Sequence, residues 1–306
     1  MTTAGQGTDF PATEHAPGPA LGGTARLAGR VVARIGFGAM QLEHAADRGA
    51  ALAVLRQAVG AGVNHIDTAQ FYDGCNALIR EALSPYPDDL VLVSKAGAEM
   101  DGGGKLVPGQ RPEQLRAQIE ANLATLGVER LDVVNLRRLD AAPGIVAEGD
   151  QLVDLDDQLA ELAALQDAGK IGGVGLSSVS AGQVSQALPA GVACVQNLYS
   201  VLDRTAEPIL ELCRQHGIAW VPFFPLGSAF PNRPKVTEEP TVVTVAAEAG
   251  ATPAQVGLAW LLAHYDRTLL IPGTSNPAHL TENIAAGAVR LPAASLAALD
   301  RLAASA

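Results

Sequence analysis

The chain is short of positive charge, cysteine and aromatic side chains, and each shortage closes off a class of function. Lysine and arginine number 21 against 32 acidic residues, a net charge of −11. Sequence-independent nucleic-acid binding needs a basic footprint, so no nucleic-acid partner is expected. A small anionic ligand stays open, because a local field can oppose the net charge. The cysteines, Cys75, Cys194 and Cys213, are odd in number and widely spaced. No disulfide or zinc pattern appears, which predicts a reducing cytoplasm and no metal. No run of about 18 apolar residues occurs, so no membrane span is expected. The opening "MTTAGQGTDFPATEHAPGPALGGTAR" lacks the basic start and apolar core of a secretory signal. "GFGAMQ" has two glycines but not the third of a G-x-G-x-x-G dinucleotide fingerprint, which argues against an open doubly wound sheet.

What is present is a long alternation. Residues 1–24, rich in Gly, Pro, Thr and Ala, read as a loose tail, and 25–306 as one domain. Strand-like runs fall at 34–40, 62–67, 90–95, 131–136, 172–177, 193–198, 218–224 and 268–273. Helical runs follow them, at 48–61, 76–84, 111–126, 154–168, 180–188, 207–216, 278–286 and 292–303; an additional pair, 241–249 and 253–264, precedes the last strand. "RPEQLRAQIEANLATLG" places Pro112 in the first turn and Gly127 past the end, with Leu115, Ile119, Leu123 and Leu126 at helical spacing. Thr252 and Pro253 read as N-cap and first residue of another helix. Eight mostly apolar strands alternating with helices predict an α/β protein, a (β/α)8 TIM barrel with two extra helices and a short N-terminal β-hairpin.

In such a barrel the reactive groups stand at the C-terminal strand ends. By two-residue alternation, Val63, His65 and Asp67 share one face of the second strand, Val91, Val93 and Lys95 one face of the third, and Val133, Asn135 and Arg137 one face of the fourth. Adjacent strands lie about 4.8 Å apart, so Asp67, Lys95 and Arg137 are expected at neighbouring tips and equivalent depth, with Tyr72 in the loop above. Taken singly, each has a blander reading: a turn Asp, a solvated Lys, a Tyr packed at the rim. Taken together they suit proton delivery. Tyrosine is a poor donor at neutral pH, a nearby cation lowers its pKa, and a paired carboxylate fixes the cation. His65 reads as a buried, satisfied core residue, and "GGG" at 102–104 as a flexible loop by the mouth.

"GVNHIDTAQFY", "LVSKAG", "GLSSVS", "VQNLYS", "FFPLGS" and "LLIPGTSNPAHLTENIAA", in that order, resemble the aldo-keto reductases over roughly residues 25–304. The resemblance implies NADPH-dependent reduction of a small-molecule carbonyl substrate. Asp67, Tyr72 and Lys95 match three members of the family's catalytic tetrad. Arg137, in "DVVNLRR", stands where the family keeps histidine; as a permanent cation it would polarise or orient the substrate, the blander reading being a structural arginine paired to Asp67 or a loop acid. "REALSPYPDDL", "WVPFFPLG" and the last stretch above look like the bacterial pyridoxal reductase branch, which carries the same arginine; a ketoreductase of a natural-product pathway and a non-catalytic NADPH-binding barrel are the alternatives. The resemblance also implies cofactor contacts from Gly38 and Met40. Ser177, Ser178 and Gln196 would meet the nicotinamide carboxamide, Phe223 its ring, and Leu226 and Ser228 the pyrophosphate. Thr274, Ser275 and Asn276 would meet the 2′-phosphate, and Glu282 and Asn283 the adenine. Gly273 and His279 stand where relatives often carry Lys and Arg, so the margin over NADH is expected to be narrow.

Overall fold

The computed structural model describes residues 21–45, 47–140, 144–227 and 234–302. The tail expected over 1–24 lies outside them up to residue 20; Leu21 is buried and Thr24 opens the first strand. β1 (Thr24–Leu27) and β2 (Arg30–Ala33) form an antiparallel pair. Then follow β3 (Phe37–Gly38), α1 (Arg48–Gly60), β4 (His65–Asp67), α2 (Cys75–Leu83) and β5 (Val91–Ala96). A second antiparallel pair, β6 (Ala98–Met100) and β7 (Leu106–Pro108), precedes α3 (Pro112–Leu126), β8 (Val133–Arg137), α4 (Leu155–Asp167), β9 (Val174–Ser177), α5 (Ala181–Ala187) and β10 (Val192–Gln196). The chain goes on through α6 (Glu207–His216), β11 (Ala219–Trp220), α7 (Pro240–Ala249), α8 (Pro253–His264), α9 (Pro277–Ala285) and α10 (Ala293–Asp300).

Seven strands form one parallel sheet in the order β11-β10-β9-β8-β5-β4-β3. Between its two edges runs the segment around 268–270: Thr268 bridges Trp220 and Leu270 bridges Ile35, both parallel. The sheet thus curls into an α/β barrel, with the right-handed strand twist supplying the curl.

Several runs are shorter as strands than the alternation suggests: the second keeps only His65–Asp67, and the expected eighth strand joins the sheet only through the bridges of Thr268 and Leu270. In the first, only Phe37–Gly38 joins the sheet, and Ala39–His44 turns into a 3-10 helix. There the backbone closes on another tip: a Cβ on Gly38 would lie 2.4 Å from the Ile271 carbonyl oxygen, and one on Gly273 2.4 Å from that of Gly38. In the seventh, the sheet keeps Ala219–Trp220, and Phe224 is in the left-handed region at φ 52.

The helices follow their local signals. α3 has Pro112 in its first turn and ends on Gly127 at φ 71, whose N–H reaches the Leu123 carbonyl; its buried face carries Leu115, Ile119, Leu123 and Leu126. α8 is closed by a reciprocal Thr252–Gln255 capping box.

The apolar residues divide into two layers. The larger packs the outward faces of the strands (Ile66, Leu92, Val134, Leu136 and Leu176) against the helices. The smaller fills the barrel itself with Val91, Val93, Val133, Cys194, Ala219, Val221 and Leu269. Leu27 and Val32, from the β1–β2 hairpin, belong to this inner cluster. The charged strand tips stand at the opposite end of the barrel.

Candidate active site

The inward side chains at the C-terminal strand ends leave the apolar interior and become charged. Asp67 pairs in register with Val93, Lys95 with Asn135, and Arg137 with Ser177. Lys95 therefore lies two residues beyond the partner of Asp67, and Arg137 two beyond the partner of Lys95. The tips climb toward the mouth instead of standing at equivalent depth, because neighbouring strands of a tilted barrel are staggered. Burial follows the climb: Asp67 is 4% exposed and Lys95 6%, while Arg137 is only partly buried.

Lys95 Nζ forms a salt bridge to Asp67 Oδ1 and donates to the Thr68 carbonyl at 3.0 Å. It also lies 4.9 Å from the centroid of the Tyr72 ring. Gln196 Nε2 reaches across the barrel from β10 to Asp67 Oδ2 at 2.9 Å. Both carboxylate oxygens of Asp67 are thus engaged, and the lysine is held on two sides. Phe71 packs edge-on to Tyr72, with centroids 5.1 Å apart, and the Arg137 guanidinium sits 5.5 Å from the Phe71 ring centroid.

The cation lowers the Tyr72 pKa as the sequence suggests, but burial, which the sequence does not show, sets the net direction. Burial pushes the Tyr72 hydroxyl above the ordinary tyrosine value; Lys95 opposes this, Asp67 adds to it, and Arg137 opposes it again, without reversing the sign. Desolvation of the phenolate outweighs the neighbouring cations, so Tyr72 is a protonated donor at neutral pH. Burial works against the charge on Lys95, yet Asp67 and Tyr72 hold its pKa above the ordinary lysine value.

Beneath this cluster lies His65, buried in the interior. A Cβ on Gly36 would come within 2.2 Å of its ring, so glycine makes its room. The expectation of a satisfied histidine is corrected: among the described residues neither ring nitrogen has a hydrogen-bond partner, and burial lowers its pKa to about 4. It is a neutral imidazole. The loop expected at 102–104 is the tip of the β6–β7 hairpin, where Asp101 accepts from the Gly103 and Lys105 N–H groups at 2.8 and 2.9 Å.

Of the residues singled out for the cofactor, each described one is placed by its own element. Ser177 ends β9 and is buried; Ser178 follows at φ 57, exposed, its N–H on the Gln196 carbonyl. Gln196 Oε1 is buried and has no partner among the described residues. This is an acceptor with nothing to accept from, as a site for a carboxamide N–H would leave it. Phe223, partly buried, stands edge-on to Phe224 beyond β11. Leu226 is partly buried against the core, and Ser228 lies outside the described residues. Gly38 meets the backbone of Ile271 and Gly273, and Met40 is partly buried in the 3-10 turn that follows. Asn276 caps α9 by accepting from the Ala278 N–H at 2.8 Å, while buried Thr274 accepts from the Asn276 N–H at 3.0 Å. Ser275 is partly buried beside them, and His279 is exposed on α9. Asn283 is buried; Glu282 accepts a hydrogen bond from the Thr252 hydroxyl, so one of its oxygens is engaged within the protein.

Sequence reading missed the amides that hold the mouth in shape. Gln110 Nε2 donates to the carbonyls of Gly97 and Arg137, at 2.5 and 2.8 Å. Gln118 Oε1 accepts from the Gly97 N–H at 2.7 Å. Asn197 exchanges two bonds with the Val179 backbone, at 3.1 and 2.8 Å. Their trace in the sequence is polarity inside an apolar stripe: Gln118 and Asn122 fall on the buried face of α3.

A family model described as the aldo/keto reductase family matches residues 34–304. The chain is 42% identical over 286 residues to a pyridoxine 4-dehydrogenase of Escherichia coli, covering 90% of this chain and 97% of that protein. It is 33% identical over 289 residues to an uncharacterised oxidoreductase of Schizosaccharomyces pombe, covering 91% of this chain and 89% of that one. Among solved structures, an aldo-keto reductase from Klebsiella pneumoniae in complex with NADPH superimposes with a TM-score of 0.76 at 27% identity, over 91% of this chain and 94% of the other. The chain belongs to the aldo/keto reductase family and is an oxidoreductase.

Proposed function

We propose that this protein reduces an aldehyde or ketone to the alcohol with NADPH, and that pyridoxal, reduced to pyridoxine, is its substrate. The observation that carries the chemistry is Lys95, joined to Asp67 and set against the Tyr72 ring at the barrel mouth. The choice of pyridoxal rests on the 42% identity to a pyridoxine 4-dehydrogenase. Residues 25–306 act as one barrel.

When bound, NADPH supplies the hydride that reaches the carbonyl carbon. Tyr72 donates its hydroxyl proton to the carbonyl oxygen as charge develops there. Lys95, kept charged by Asp67, stabilises the phenolate left behind. Gln196 and Thr68 hold the Asp67–Lys95 pair from opposite sides. Arg137 faces the same oxygen with N–H groups that need no reorientation during the reaction. The residues that would hold the cofactor are Ser177, Ser178 and the unpartnered Gln196 oxygen at the nicotinamide, and Phe223 along its ring. Leu226 and Ser228 would lie at the pyrophosphate, with Gly38 and Met40 lining the site. Thr274, Ser275 and Asn276, at the start of α9, would meet the 2′-phosphate, helped by Gly273 and His279, with Glu282 and Asn283 at the adenine.

The test is oxidation of NADPH by the purified protein with pyridoxal and a panel of other aldehydes and ketones. Turnover with pyridoxal at a kcat/KM above the panel is expected, and higher with NADPH than with NADH. Tight NADPH binding without oxidation by any carbonyl compound would reject the reading.

A further inference from the structure

Both members of the capping box that opens α8 reach beyond their own helix. Within the box the Thr252 N–H donates to Gln255 Oε1 at 3.0 Å, and the Gln255 N–H donates to Thr252 Oγ1 at 3.2 Å. The box is then complete, and it uses the Thr252 hydroxyl only as an acceptor. The hydroxyl proton goes across to α9, where Glu282 Oε1 accepts it. The Gln255 amide takes the same route: its Nε2 donates to the Glu282 backbone carbonyl at 3.1 Å. Glu282 is thus held twice, once at its main chain and once at its carboxylate. Its second oxygen, Oε2, accepts no hydrogen bond from the described residues, and the side chain is only half-buried.

An aspartate at 252 would cap α8 as well as threonine does, but an ionised aspartate has no proton to donate. Capping therefore leaves the contact with Glu282 unexplained. We infer that Thr252 is a positioning residue for the cofactor: its hydroxyl fixes one oxygen of Glu282 so that the other is presented to the 6-amino group of the adenine. This rests on the reading that puts Glu282 at the adenine, and adds how the base is selected. A glutamate free on a helix surface gives up rotamer freedom when it meets a ligand; one held by Thr252 and Gln255 has given it up on folding. A carboxylate fixed there prefers a purine with an amino group at C6. A purine with oxygen at C6 would set its own acceptor against the carboxylate.

The test is binding of NADPH and of its hypoxanthine analogue, in which oxygen replaces the 6-amino group. Dissociation constants are measured by fluorescence titration of the full chain, for wild type, Thr252→Val, Thr252→Ser and Glu282→Leu. Wild type is expected to bind NADPH at least about tenfold more tightly than the analogue, as one charge-assisted hydrogen bond predicts. Thr252→Val is expected to cut that ratio about threefold or more, the cost of leaving one rotamer-rich side chain free. Thr252→Ser, which retains the hydroxyl, is expected to keep the wild-type ratio. A role in capping alone would weaken both cofactors alike and leave the ratio unmoved. A wild-type ratio in Thr252→Val, with the ratio abolished in Glu282→Leu, overturns the inference and leaves Glu282 at the adenine. A ratio that survives Glu282→Leu, or a wild type that binds both cofactors equally, removes Glu282 from the adenine and the inference with it.

Discussion

The two ends of this barrel are made by the same strands and have opposite chemistry. On β5, Val91 and Val93 belong to the apolar filling, and Lys95, one inward step further, is a buried cation. On β8 the same face runs from Val133 through Asn135 to Arg137. The lower end is closed by Leu27 and Val32 of the hairpin, and its Arg30–Asp132 pair, at 3.5 Å, lies partly exposed outside that apolar filling. The upper end buries an ion pair beside a tyrosine and, among the described residues, leaves the Arg137 guanidinium and one oxygen of Gln196 without hydrogen-bond partners. Stability is thus concentrated below and reactivity above, and a single strand serves both because its alternation is the same throughout.

The separation can be broken from either end. The largest effect is expected above, from Tyr72→Phe. Loss of the proton donor lowers kcat for aldehyde reduction by about 10²–10⁴, with the unfolding midpoint and the NADPH dissociation constant almost unchanged; steady-state kinetics beside a denaturant titration check this. Near-wild-type turnover would remove Tyr72 from its role.

Lys95→Met should cross the divide. It strands the Asp67 carboxylate in the interior, which costs about 3–5 kcal/mol of stability, and it also removes the charge that stabilises the Tyr72 phenolate. Urea unfolding measures the first effect. The second appears in the pH profile: reductive kcat/KM falls as pH rises through the Tyr72 pKa, and losing Lys95, which lowers that value, moves the fall to higher pH. A variant that kept full stability would mean the ion pair contributes nothing to the fold.

Below, Leu269→Ala should cost about 2–5 kcal/mol by opening a cavity in the filled interior, while kcat/KM per folded molecule stays within about twofold, well under the tenfold that 1.4 kcal/mol represents. A comparable loss of kcat/KM would show that the two ends are coupled.

The smallest effect concerns His65, at the boundary. Its folded pKa of about 4 lies below the ordinary 6.5, so the folded protein holds it neutral while the unfolded chain takes up a proton. Its contribution is complete above the unfolded value and is lost as pH falls toward the folded one; between pH 7 and pH 5 this amounts to about 2 kcal/mol by linkage. His65→Leu should flatten that part of the stability–pH curve. An unchanged slope would place the acid sensitivity elsewhere.

Much of this was legible in the sequence because it is local. Alternation along "LVLVSK" and "LDVVNLRR" places Lys95 and Arg137 on inward faces, and Pro112 with Gly127 bounds α3, as found. Where tertiary closure intervenes, the same reasoning fails. The first run bends away after Gly38 because another tip occupies the space that a side chain would need. His65 reads as any buried histidine, and nothing local reveals that both its nitrogens go without partners among the described residues. The sign of the Tyr72 shift needed the burial as well as the cations, and burial is not a property of neighbours in the chain.

By itself the sequence determined which residues face inward and what chemical groups the strand ends carry, since a strand's period of two and a helix's caps are written in consecutive residues. The tertiary structure alone decided how those groups meet. Strand stagger sets the climb from Asp67 through Lys95 to Arg137, and closure of the sheet brings Gln196 to Asp67 across 129 residues of chain. It also decided that Arg138 finds Asp140 while Arg137 is left facing the mouth. Adjacent residues on a strand point to opposite faces, and only the folded surroundings fix what waits on each side.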